Sequence, residues 1–394
     1  MRRVLFLSSL ALLAEAQKVG DLQQEIHPKV SWKQCTSSTY DTVQGEITID
    51  AEYRWIHVVD DWHSCFERQE WQTDYCNSTQ SCTELCAVDG AYYPGYGIVT
   101  NGDSLSQQYE TPIDFSKSQN SRVFLMEDGG DKYQTFSLLG NELAFDVDLG
   151  TVPCGLNGAL TFLAMEADGG LARYEGNEAG ARNSNSRAFQ TSSKICSRID
   201  SYSVCENGAC VQDRLPQCDS DGCDYNPYRL GVTDFYGIGG DVDTSKKFTV
   251  VTRFAEDKIT KFFIQDGKRI DAPSPALPNF PDVNGLSKDY CRIKTVEFSE
   301  PDIFEALGGV ARQNDILRRP MVMALSIQDD YNAWNLWLDS TYPVNTGNYP
   351  GVTRGPCPWQ ENDPNDLDVQ WGWSKAKIAW SNIRFGPIGS TISI

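Results

Sequence analysis

The stretch KFTVVTRFAEDKITKFFIQDGKRI, residues 247–270, alternates apolar and polar side chains in two successive runs. A period of two is the signature of a strand with one buried face. The second run, Ile259 to Ile270, turns at Asp266-Gly267, a pair suited to a tight hairpin. The pattern recurs outward along the chain. Residues 45–60, GEITIDAEYRWIHVVD, read as a half-buried strand. Gln134 to Asp148 reads as a hairpin with Gly140-Asn141 at its turn. Ala159 to Ala167, Pro320 to Ile327 and Lys377 to Phe385 complete the strand candidates. Helical periodicity is weak, and Pro301 to Leu307 is the best helical candidate. Many short strands, Gly- and Pro-rich turns and no βαβ alternation predict an all-β sandwich. No internal repeat, Ser/Thr/Pro linker or appended module is visible, so one domain over 17–394 is the simplest organisation.

Residues 1–16 have the three parts of a secretory signal peptide. Arg2 and Arg3 supply the charge, Val4 to Leu13 the apolar segment, and Ala14-Glu15-Ala16 the cleavage site. The apolar run is too short to span a membrane. A secreted, extracellular protein starting at Gln17 is the expectation. The formal charge of −20 argues against nucleic acid and anionic membranes as partners, since both need a basic patch. A neutral polysaccharide is indifferent to that charge. Thirteen cysteines in a secreted chain point to disulfides, and the odd count leaves at least one unpaired. Four of them crowd residues 65–86, too densely for a regular element, and predict a stapled loop. The sequon Asn77-Ser78-Thr79 lies there and suits an exposed glycosylated loop. His27, His57 and His63 are the only histidines and lack HxH or HExxH spacing, so neither a metal nor another cofactor is expected. The Cys-x4-Cys pairs at 205–210 and 218–223 could suggest zinc, but secretion favours disulfides. No nucleophile elbow for serine hydrolysis is visible.

Eight words together carry a family resemblance: IDAEYRWIH (49–57), FSLLGNELAFDVDL (136–149), CGLNGAL (154–160), EADGG (166–170), AGAR (179–182), DSDGCDYNPYRLG (219–231), LWLDSTYP (336–343) and SNIRFGPIGST (381–391). In this order they resemble the cellulases of glycoside hydrolase family seven over nearly all of the mature length. The resemblance implies a concanavalin-like β-jelly roll. Two antiparallel sheets carry long disulfide-stapled loops, and the concave sheet forms a glucan cleft. It implies a monomer acting on cellulose or a related β-1,4-glucan. It also implies the pairs Cys65–Cys86, Cys76–Cys82, Cys154–Cys357, Cys196–Cys218, Cys205–Cys210 and Cys223–Cys291, leaving Cys35 over. In relatives the partner of Cys35 would sit near Asp41; a buried, inert thiol is the favoured reading.

The stretch from Glu175 to Cys223 departs from the family. Retaining glycosidases need two carboxyl groups about 5–5.5 Å apart, one a nucleophile and one an acid/base. The family carries them as Glu-x-Asp-x-x-Glu, and no such motif exists in this chain. Counting thirteen positions back from Cys196 puts Asn183 where the acid/base Glu belongs. The nucleophile segment is missing between Arg182 and Asn183, and an amide cannot donate a proton as a carboxylic acid does. Glu175, Glu178, Asp200, Asp219 and Asp221 are the local carboxylates, each read as a solvated loop charge. Thr161 and Lys194 stand where relatives carry a Tyr and a His beside the reacting bond.

The cleft itself is better kept. Sugar rings offer apolar faces to aromatic platforms and hydroxyls to planar polar groups. The resemblance assigns platform roles to Trp55 and Trp337, and an entrance role to Tyr53. It assigns polar contacts to Arg122, Asn157, Arg214, Asp221, Asp224, Tyr342 and Arg354. Gln328 replaces a third platform Trp. The expectation is a β-1,4-glucanase by descent that lacks its chemistry as written. A non-catalytic glucan-binding protein is the rival reading. A splice form or gene model that has lost a coding segment is the favoured explanation of the gap.

Overall fold

The computed structural model describes residues 18–20, 22–67, 70–113, 116–172, 178–181, 211–212, 215–216, 222–344, 347 and 349–392. Its main strands are β1 (Lys29–Cys35), β2 (Tyr40–Ile49), β3 (Ile56–Val58), β4 (Ser104–Gln108), β5 (Ser121–Glu127) and β6 (Asn141–Asp148). They continue with β7 (Asn157–Leu163), β8 (Phe248–Phe254), β9 (Lys258–Gln265), β10 (Lys268–Asp271), β11 (Met321–Gln328) and β12 (Lys377–Pro387). Asp266 and Gly267 adopt φ of 52° and 74°, which lets Gln265 pair directly with Lys268 across the expected two-residue turn. β8, β9 and β10 are therefore one antiparallel meander.

The ladder runs β7-β11-β5-β2-β1-β12-β6-β8-β9-β10 and folds over on itself. All its pairings are antiparallel except β1 with β12. Alternation then builds the sandwich. From one half, Ile47, Ile49, Val123, Leu125, Met323, Leu325 and Ile327 point inward. They meet Leu143, Phe145, Phe248, Val250, Phe263, Trp380 and Phe385 from the other half in a single core. Edge-to-face contacts of Phe136 with Trp32 and Phe385, at 5.1 and 4.9 Å, tie the two halves.

Four local expectations change. The strand expected over 45–60 ends at Ile49, because the Asp50 side chain accepts from the Glu52 N–H at 3.0 Å and caps a short 3-10 turn before β3. It is also buried on both faces, with Glu46 and Thr48 at 5% and 0% exposure. The segment 134–148 is no hairpin. Thr135–Phe136 pairs with β11, while β6 pairs with β8 and β12, so the Gly140 turn carries the chain between layers. Turn residues show that a chain bends, not which strand it meets next. Within 65–86 a helix α1 (Thr79–Leu85) forms behind a Ser78–Ser81 capping box. The expected helix at 301–307 is α3 (Ile303–Ala306), flanked by α2 (Lys288–Glu297) and α4 (Gly309–Leu317). Two further helices, α5 (Leu336–Asp339) and α6 (Leu367–Trp373), escape the periodicity reading because they span only about one and two turns of a loop-rich fold.

Cys65–Cys86, Cys76–Cys82, Cys154–Cys357 and Cys223–Cys291 form as the resemblance implied. The pairs Cys196–Cys218 and Cys205–Cys210 lie outside the described residues. Cys35 is free and buried at the end of β1. Cys154–Cys357 joins residues 203 positions apart, so it constrains the largest loop of the unfolded chain among the described bridges. Replacing both cysteines by serine is expected to lower unfolding free energy by roughly 3–5 kcal/mol. Urea unfolding of the variant beside the parent protein measures it.

Candidate functional site

The register of β11 decides what faces outward from the core on this sheet. Asn157 of β7 pairs with Gln328, Ala159 with Ser326, and Thr161 with Ala324. Across the other edge of β11, Arg122 pairs with Ser326 and Phe124 with Ala324. These residues alternate with the core set, so Asn157, Gln328, Ser326 and Arg122 share one face. Tyr53 reaches the same face from the 3-10 turn, and its hydroxyl donates to Gln328 Oε1 at 3.1 Å. Gln328 Nε2 in turn donates to Ser326 Oγ at 3.2 Å. Burial pushes the Tyr53 phenol well above its ordinary range, so it remains a neutral hydroxyl at all working pH values.

Arg122 is nearly buried and fully engaged. Its Nε donates to Asp50 Oδ2 at 2.6 Å and its Nη2 to Glu52 Oε2 at 2.9 Å. Burial opposes its charge, and the facing carboxylates outweigh that, raising its pKa. Arg122 thus fixes the turn that carries Tyr53, and its guanidinium sits 5.9 Å from the Tyr53 ring centre. Asp50 and Glu52 are spent on this pairing. No acid lies on β7, whose cleft side offers Asn157, Ala159 and Thr161.

Two aromatic groups flank this face in the chain. Trp55 follows Tyr53 by two residues, and its Nε1 donates to Ser64 Oγ at 3.1 Å. Its ring stacks on His57 at 4.3 Å and on Trp62 at 5.6 Å. Trp337 lies on α5 and is 38% exposed, with its Nε1 donating to Asp330 Oδ2 at 3.1 Å. The buried Asn335 just before it donates to the carbonyls of Gly155 and Gln328 at 2.9 and 3.2 Å. Asp339 at the other end of α5 accepts from the Gly155 N–H at 2.9 Å. Trp337 is therefore anchored to the end of the sheet where Asn157 and Gln328 sit. Cys154, Asp339 and Cys357 bring three potential donor atoms together, but the two sulfurs are a disulfide and offer no thiolate to a metal.

Asp224, Arg354 and Tyr342 form a second group. Asp224 accepts from Arg229 at 2.9 Å and from Lys294 at 2.7 Å. Glu300 joins Arg229, Lys294 and, at 3.9 Å, Arg354. The Arg354 guanidinium lies 5.8 Å from the Tyr342 ring, and the two backbone segments pair through Tyr342 N–H to Val352 and Arg354 N–H to Ser340. Burial opposes ionisation of Asp224, but Lys294 and Arg229 outweigh it and hold its carboxyl far below the usual range. Arg229, Lys294 and Glu300 were not legible as site residues. Lys294 is 2% exposed although a lysine in a helix ordinarily reads as a surface charge. Arg214, Asp221 and Asn183 lie outside the described residues.

A strip of partly buried aromatic and planar polar groups on one sheet of a β-sandwich suits a long, neutral, hydroxylated ligand. Comparison decides the lineage. The model of glycosyl hydrolase family 7 matches residues 19–184 and 182–392. The chain belongs to glycosyl hydrolase family 7. Its fold is similar to that of a cellobiohydrolase from Melanocarpus albomyces, determined with cellotetraose bound, at 38% identity and TM-score 0.86, covering 96% of this chain and 100% of the other. It is similar to a family-seven cellobiohydrolase from Daphnia pulex at 28% identity and TM-score 0.87, covering 95% and 100%. The endocellulase EGI of Humicola insolens matches at 26% identity and TM-score 0.80, again covering 95% and 100%. The family-seven chain is thus a jelly roll related to β-1,4-glucanases of both exo- and endo-acting kinds.

The Asp224 cluster makes a quantitative prediction. Asp224→Asn leaves Arg229 and Lys294, at 3% and 2% side-chain exposure, with one carboxylate fewer. The Asp224 side chain is itself 35% exposed, which softens the effect. A loss of about 2 kcal/mol is expected. Because the folded pKa is depressed, the contribution is intact above the unfolded value of about 3.9 and is lost as pH falls through the lower folded value. The stability gap between parent and variant should be constant above about pH 5 and close only below about pH 4. Chemical denaturation across that range measures the gap.

Proposed function

We propose that this family-seven protein is a secreted β-1,4-glucan-binding protein that does not cleave its ligand. The carrying observation is at the junction of 182–184, where the two matched segments of the family model meet. There the chain passes from Arg182 to Asn183 without the Glu-x-Asp-x-x-Glu word. Retaining hydrolysis needs a nucleophile on one side of the sugar and a proton donor on the other, roughly 5–5.5 Å apart. Asn183 offers neither. β7, the strand bearing Thr161 in place of the family Tyr, carries no acid to substitute. Ala181 is buried at 0% exposure in a cluster with Phe124, Leu163 and Ala324, and its N–H donates to Asp168 O at 3.0 Å. The described chain is thus packed as far as Ala181. The platform and polar groups around Gln328 support the binding half of the reading.

Export with cleavage before Gln17, glycosylation at the exposed Asn77 and action as a monomer belong to the same reading. The intact mass and sedimentation of the protein recovered from culture medium check all three.

The purified protein is expected to adsorb to microcrystalline cellulose and to release no soluble sugar over days of incubation. Release of cellobiose that survives repurification would refute the non-catalytic reading. Failure to adsorb would refute the binding reading. A second expectation concerns the junction. The family words on either side resume in register with Cys196, as a skipped coding segment would leave them. Genomic DNA between the codons for Arg182 and Asn183 is expected to encode Glu-x-Asp-x-x-Glu with four cysteines. Continuous coding across that point would show that the gap is fixed in the gene.

A further inference from the structure

We propose that Trp62 is the outermost sugar-stacking platform of the cleft, reaching ligand beyond Trp55; this rests on the glucan-binding reading above. Trp62 is 78% exposed, the most exposed tryptophan among the described residues. Covering such a ring removes a large apolar area from water, which is favourable for a ligand with an apolar face. The local chain holds it in place. Val58 N–H donates to His63 O, and Cys65 N–H to Ile56 O, each at 2.8 Å, which makes residues 56–65 a small hairpin. Asp60 takes φ 59° at its tip, and the Asp61 carboxylate accepts from the N–H groups of Trp62 and His63 at 2.6 and 3.3 Å. The Cys65–Cys86 bridge ties its base to the neighbouring strand Cys86–Val88.

The hairpin sets the Trp62 ring 5.6 Å from Trp55 at an interplanar angle of 27°. Trp55 is held by its bond to Ser64 in the same hairpin, and stacks on His57 at 4.3 Å and 27°. His57 is 3% exposed, so this end of the stack is inside the protein. Trp62 is the end that meets solvent. A glucan chain lying along the face that holds Tyr53, and continuing past Trp55, which the resemblance assigns to the same cleft, meets the Trp62 ring as the accessible apolar surface. The other exposed tryptophans are differently placed. Trp371 carries the Lys375 ammonium 3.1 Å from its ring centre, and Trp359 stacks at 6.3 Å on Trp334, two residues before α5. The neutral sugar face fits the place, because the neighbouring carboxylates of Asp60 and Asp61 would repel an anionic polymer.

Isothermal titration with cellobiose, cellotetraose and cellohexaose tests this. In the parent protein affinity is expected to rise with chain length. Trp62→Ala should lose about fivefold or more in affinity for cellohexaose while binding of the shorter sugars is kept. Trp62→Phe should recover most of the loss. Unchanged melting of both variants establishes that the hairpin is intact. Equal or tighter cellohexaose binding by Trp62→Ala would overturn the proposal, since Trp62 would then be a cover over Trp55. Absence of binding of every sugar by the parent protein would overturn the glucan reading, and this proposal with it.

Discussion

The pairing of β11 with β7 on one side and β5 on the other is the constraint on which the rest of the molecule depends. In a strand the side-chain period is two, so register assigns each residue to a face. Here one assignment sends Met323, Leu325 and Ile327 into the shared core and leaves Ser326 and Gln328 facing out. A slip of β11 by one position would place Ser326 and Gln328 in the core and three large apolar groups in the cleft. No such alternative is competitive, because the inward set packs against the whole second layer. The cleft is thus a by-product of core formation: its floor is whatever the sequence places on the other face.

What stands on that floor is positioned by buried polar bonds rather than by strand geometry alone. Arg122 anchors the turn beneath Tyr53, Asn335 and Asp339 anchor α5 beneath Trp337, and the Asp224 cluster anchors the segment that bears Arg354. Each is a group whose removal from water is costly unless its partners are in place. This favours one loop conformation over others, which suits a site that must meet a rigid, extended ligand. It also changes the meaning of several residues. Arg122 and Asp224 are polar groups of the cleft lining by resemblance, and in the folded chain both are engaged with protein partners.

The legible part of this protein was its local chemistry. Alternation at 248–254 and 258–265, the Asp266-Gly267 turn and the four described disulfides all stand as read. The misread parts share one cause. Gly140-Asn141 announces a bend correctly, yet the strands on either side belong to different layers. The segment 45–60 alternates throughout, yet a single Asp50 cap divides it. Lys294 looks like an ordinary helix charge, yet it is enclosed by Asp224 from a distant segment and by Glu300 just beyond its own helix.

By itself the sequence determined the all-β class, the family and the absence of the Glu-x-Asp-x-x-Glu word, because each is a property of residue order. Only the tertiary structure decided which aromatic rings are free and which polar groups are already engaged. Trp55 and Trp62 look equivalent as letters, seven positions apart. Folding stacks one between its neighbours and leaves the other facing water, since the hairpin over 56–65 brings the two rings together. Contacts between residues far apart in order carry no local signature, and they settle what each side chain is available to do.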